Sequence, residues 1–345
     1  MPLISSLGVM NAINFGLISG ALRALGFGTK YADPLPALEG AGRGISIKSD
    51  NSVVAIALGA SPFVTAYAWS NGFGSRYASP SSLPADIAYG IGFNPAGTVI
   101  GLGLATSPYI TAYAWSNGFG SKYANPTTLP ANSSFTAIFN PAGSVMGVCE
   151  SAPYMYVWSN GFGTKYANPA TLPTGYGYSM NFNPTGTAIS ISHATSPYIS
   201  VYPWSNGFGT KYSDPTTLPA GTGYGVSFNS LGDVIGVSHA TSPYVSIYPW
   251  SNGFGSKYTD PSILPTGIGY SIAFNPSGTA VNVSHATNPF TTAYPWSNGF
   301  GSKYNNPTSL PSNTGRSTTF NPTGSVLGVT NLTTGPYISM YPFTA

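Results

Sequence analysis

Tryptophan recurs at Trp69, Trp115, Trp158, Trp204, Trp250 and Trp296, at intervals of 46 residues broken once by an interval of 43. A fixed period of this length means that one small folding unit is repeated, each copy burying its apolar face against the next. Gly-Phe-Gly triplets centred on Phe27, Phe73, Phe119, Phe162, Phe208, Phe254 and Phe300 keep the same intervals and bring the units to seven. A Phe-Asn-Pro marker at Phe93, Phe139, Phe182, Phe274 and Phe320 weakens to Phe228-Asn229-Ser230 and to Ile47-Lys48-Ser49, so the first unit has drifted furthest.

Within a unit the pattern is that of strands. Tyr224, Val226 and Phe228 alternate with small or polar residues, as do Tyr178, Met180 and Phe182, and Tyr270, Ile272 and Phe274. That period of two predicts a first strand with the three large side chains on one face. An Asn-Pro-x-Gly turn leads to a second strand over 234–238, and a His-Ala-Thr-Ser-Pro turn to a third over 244–248. Ser251-Asn252-Gly253 is a strong turn signal, and a short outer strand around Lys257-Tyr258-Thr259 follows it. The 43 glycines and 31 prolines argue against helices. The third unit is three residues short, two of them lost between Pro153 and Trp158; removing two residues from a strand leaves its inward face unchanged.

The ends of the chain complement one another. The last unit finishes as a third strand, Tyr337 to Phe343, without an outer strand, and Gly26-Phe27-Gly28-Thr29-Lys30-Tyr31 is an outer strand without a unit. Pairing the two closes a ring and leaves no open end. This organisation resembles the WD-repeat β-propeller, with four strands per blade and Trp near the end of the third strand, over about residues 23 to 345. The Trp-Asp dipeptide of that family stands here as Trp-Ser or Phe-Thr, and its Gly-His dipeptide is absent. The resemblance implies an all-β fold: a seven-bladed propeller of four-stranded antiparallel blades, closed by an N-/C-terminal strand clasp. Residues 1–22 are set apart as an apolar arm. The Tyr-Pro-Trp-Ser-Asn-Gly-Phe-Gly-x-Lys-Tyr phrase, low charge and apolar arm also look like virion-associated propeller proteins of tailed bacteriophages.

Several residues are candidates for chemistry. A basic residue follows Gly-Phe-Gly-x in every unit: Lys30, Arg76, Lys122, Lys165, Lys211, Lys257 and Lys303. As a ring they would engage phosphate, sulfate or carboxylate groups of a surface polymer; otherwise their stems lie over aromatic rings or pair with Asp33, Asp214 and Asp260. Tyr113, Tyr202, Tyr248 and Tyr294 are placed at a wet rim, where a phenol can face a sugar. His193, His239 and His285 share one position in three successive units and are weak metal candidates; hydrogen bonding within the turn is the simpler role. Cys149, the one cysteine, reads as buried filler and excludes an intrachain disulfide.

The charge inventory restricts function. Eleven basic and eight acidic residues give a net charge of +3 with no block of one sign, which offers little to nucleic acid. No apolar stretch reaches 18 residues, so no membrane span is expected. The eight carboxylates form no recognisable catalytic pair, and no nucleophile elbow, P-loop or zinc-protease motif occurs. The expected protein is a non-enzymatic structural or interaction protein without cofactor. As a phage tail, fibre or capsid component it resides in the virion and joins other virion proteins through residues 1–22. The alternatives are a lectin-like propeller that recognises host-surface glycan and a cytoplasmic location.

Overall fold

The computed structural model describes residues 25–333 and 335–345; the arm assigned to 1–22 lies outside them. Seven antiparallel sheets follow one another along the chain. The first comprises Gly42–Ile47, Val53–Leu58, Val64–Trp69 and Phe73–Arg76, ordered from the axis outward. The inner strands of each sheet touch those of the next, and the seventh, Gly315–Phe320, returns to touch Gly42–Ile47, so the sheets are blades of a closed ring. The second strand of every blade is wholly buried.

Closure uses the two chain ends as expected. Gly26–Phe27 adds to Ile338–Thr344 as outer strand of the seventh blade, with Gly26 opposite Thr344 and Phe27 opposite Phe343. Gly28 and Tyr31 donate to the carbonyls of Pro342 and Met340 at 2.7 and 2.9 Å. Phe27 packs edge-on against both Tyr341 and Phe343, each at 5.5 Å.

The outer strand is shorter than expected in three blades. It has four residues in the first three, but shrinks to the single bridges Trp204–Phe208, Trp250–Phe254 and Trp296–Phe300 in the next three. Those blades carry Pro203, Pro249 and Pro295 where the first three carry Ala68, Ala114 and Val157. The amide of Trp69 donates to the second strand, so that of Ala68 faces the outer one. Proline has no amide there, and the ladder ends early.

Each seam between blades is sealed by aromatic rings. The tyrosine of the Lys-Tyr phrase leaves one blade and meets the Trp of the next edge to face: Tyr77 on Trp115 and Tyr123 on Trp158 at 5.0 Å, Tyr166 on Trp204 at 5.1 Å. Tyr31, just after the clasp, meets Trp69 at 5.1 Å and closes the series. Near the axis the backbones approach too closely for side chains, and a Cβ on Gly90 would lie 2.4 Å from Thr136 Cα. Gly90→Ala therefore forces the second and third blades apart; we expect a loss of about 1–3 kcal/mol in urea unfolding.

Candidate functional site

The seven cations that follow the Gly-Phe-Gly triplets are mostly engaged. Lys30, Lys211 and Lys257 pair with Asp33, Asp214 and Asp260, and Arg76 pairs with Glu39 of the loop entering its blade. Lys165 and Lys303 donate to the side chains of Asn168 and Asn306 and to the backbone carbonyls of Tyr166 and Tyr304, and Lys165 also lies 4.8 Å over the Tyr154 ring. Lys122 makes no ion pair among the described residues. Five of these side chains, those of Lys30, Lys165, Lys211, Lys257 and Lys303, bond to the loop that follows them, and Arg76 ties its strand to the loop that enters the blade.

Tyr113, Tyr202, Tyr248 and Tyr294 do not sit at a rim. All four are fully buried, and their hydroxyls donate to the carbonyls of Ser82, Thr171, Thr217 and Ile263 at 2.7–2.8 Å. The crossing loop needs a donor for a carbonyl turned inward, and the phenol is the side chain long enough to supply it from the core. Burial pushes the Tyr202 phenol up to about 12 and the others upward as well.

His193, His239 and His285 are equally buried. Their Nε2 atoms lie 2.9–3.0 Å from the hydroxyls of Ser200, Ser246 and Thr292, across the turn, and His193 Nδ1 lies 2.9 Å from the Thr195 carbonyl. Each ring thus bonds within its own blade; no cluster of three metal-ligating residues exists among the described residues. Cys149 is a buried free thiol, pushed well up by burial.

The structure assembles a different constellation on the axis. In six blades the innermost strand is bulged at its second residue; in the fourth, Gly177 faces His193 and Ser179 faces Ser192, leaving Tyr178 extra. The strict alternation expected for Tyr178, Met180 and Phe182 therefore fails at Tyr178. Bulges re-aim a side chain, and here they turn one residue per blade toward the axis. Tyr89 stacks on Phe135 at 4.6 Å, Phe135 on Tyr178 at 5.3 Å, Tyr178 on Tyr224 at 4.9 Å and Tyr224 on Tyr270 at 5.3 Å.

Arg43 of the first blade and Arg316 of the last complete this ring. Their guanidinium carbons lie 5.1 Å over Tyr89 and 4.8 Å over Tyr270. The ring borders a cavity of about 120 Å³. At the other end the channel widens to about 620 Å³ between the Phe-Asn-Pro turns, with no acidic or basic side chain in its lining. Burial pulls the Arg316 pKa down, as does the Arg43 charge, while Tyr270 opposes them. The signal was present in the sequence: Gly42-Arg43-Gly44 and Gly315-Arg316-Ser317 align with Gly223-Tyr224-Gly225, so arginine replaces the aromatic residue in two units.

The sequence matches no family model and no curated protein. The fold is widely shared among solved structures. One chain of the structure titled "Crystal Structure of Mitotic Checkpoint Complex" superposes with a TM-score of 0.70 over 94% of this chain and 98% of its own, at 11% identity. The fold is a seven-bladed β-propeller.

The histidines give this propeller an acid limb. Burial holds His239 and His285 down to about 4, and lowers His193 too. Unfolded imidazoles ionise near pH 6.5, so below that value the unfolded chain binds more protons and stability falls toward pH 4. The loss reaches about 1 kcal/mol per pH unit for each histidine. We expect the urea midpoint to drop between pH 7 and pH 5, and a shallower drop in the His239→Gln, His285→Gln variant.

Proposed function

We propose that this protein is a non-enzymatic binding and assembly platform, and that the assembly is a tailed-phage virion. One observation carries the reading. Leu83, Leu129, Leu172 and Leu218 are exposed at the same position of four successive crossing loops. A periodic set of apolar side chains on a chain of net charge +3 is an apolar contact surface with little electrostatic cost of desolvation. The carboxylates support a non-catalytic role. Five are held in ion pairs. Glu150 accepts from Asn132, Ser151 and the Ala131 amide, Asp233 from Asn229, and Asp86 from the Ile87 amide.

Residues 1–22 carry no charged side chain, and we assign them the anchoring contact with other virion proteins. The glycan-binding alternative is less favoured, because its four tyrosines are buried and most of its cations are engaged. In particles purified from producing cells, the protein is expected in stoichiometric amount. Replacing Leu83, Leu129, Leu172 and Leu218 by Ser should leave the propeller folded yet deplete it from particles, as should deleting residues 2–22. Particles without the protein would overturn the reading, and so would saccharide binding on a glycan array weakened by Lys211→Ala with Lys257→Ala.

A further inference from the structure

We propose that the narrow end of the axial channel binds one oxyanion group, a phosphate or carboxylate, bridged between Arg43 and Arg316. The inference goes beyond the platform reading and does not depend on it. It starts from the distribution of charge. Seven of the eleven basic residues follow the Gly-Phe-Gly triplets, Lys48 pairs with Asp50, and Arg23 lies outside the described residues. Arg43 and Arg316 remain, and ring closure brings these two together in the channel.

No carboxylate accompanies them. None of the eight acidic residues lines this cavity. Residues 1–24 contain neither Asp nor Glu, so that segment has no side chain to serve as counterion. Two like charges in a partly desolvated site repel, and cation–π contacts with Tyr89 and Tyr270 offset only part of that cost. Arg43 Nε is buried without a hydrogen-bond partner, which leaves a charged donor unsatisfied. An oxyanion corrects both defects at once: its oxygens accept from two guanidinium forks, and its charge lies between theirs.

The shape of the site fixes the size of the ligand. A cavity of about 120 Å³ admits a single anionic group or the end of a larger molecule. Tyr178 and Tyr224 form the wall opposite the arginines. Their rings suit the flat face of a sugar that carries the carboxylate, so the anion has two possible sources: a free ion, or a uronic acid.

Thermal unfolding of the full chain tests this, with inorganic phosphate or glucuronate titrated at an ionic strength held constant with sodium chloride. We expect a saturable rise of about 3 °C with at least one of the two. The half-saturation concentration should rise about tenfold or more in Arg43→Gln, Arg316→Gln. Tighter binding of glucuronate identifies the sugar-borne source, and tighter binding of phosphate the free ion; both support the site. Phosphorus NMR of phosphate with the unmodified protein, showing line broadening reversed by sulfate, provides a readout that does not require the variant to fold. A response that is linear and equal in both proteins, with no broadening and no saturation by glucuronate, would overturn the proposal.

Discussion

The edge-to-face contact between a tyrosine leaving one blade and the tryptophan of the next holds this molecule together. It recurs at six seams, and at the seventh Tyr304 meets Phe343 at 5.5 Å. Each such pair contributes about 0.5–1.5 kcal/mol beyond the area it buries. Each tryptophan also rests on the phenylalanine of its own turn, as Trp250 does on Phe254 at 5.1 Å. The contact therefore joins blade to blade and outer strand to sheet. That double duty explains why Trp, the Gly-Phe-Gly phenylalanine and the Lys-Tyr tyrosine keep step along the chain.

Sealing the seams at the periphery constrains the axis. Innermost strands come so near one another that glycine is required at Gly90, and a bulge gives a large side chain such as Tyr89 room by turning it into the channel. Six blades have such a bulge, and the residue it presents decides the character of the channel. Aromatic residues fill most of these positions. The two exceptions are arginines in the first and last units, which closure makes neighbours. A cationic pair at one end and a neutral, wider mouth at the other thus follow from where the ring is joined.

The sequence made the large-scale architecture legible because period and closure are properties of spacing. Seven units, their strands and the pairing of Gly26–Phe27 with the last blade needed no side-chain geometry. The losses were local. Tyr248 reads as amphipathic, yet a carbonyl 31 residues upstream draws its hydroxyl inward. Tyr178 reads as in phase with Met180 and Phe182, because alternation carries no mark of a bulge. Pro203 could have announced the shortened outer strand, since a missing amide is visible in sequence; what was not visible is which side that amide would face. Arg43 and Arg316 are not legible as a pair, because they lie at opposite ends of the chain and become neighbours only in the closed ring.

If the aromatic seams and the clasp make seven repeats into one body, the blades cannot melt independently. Scanning calorimetry tests this most directly, by comparing the measured unfolding enthalpy with the van't Hoff enthalpy of the same transition. A closed, fully sealed ring gives a single transition with a ratio of about one. A ratio of several, or separate transitions for groups of blades, would show that the seams do not couple them, and would contradict the account.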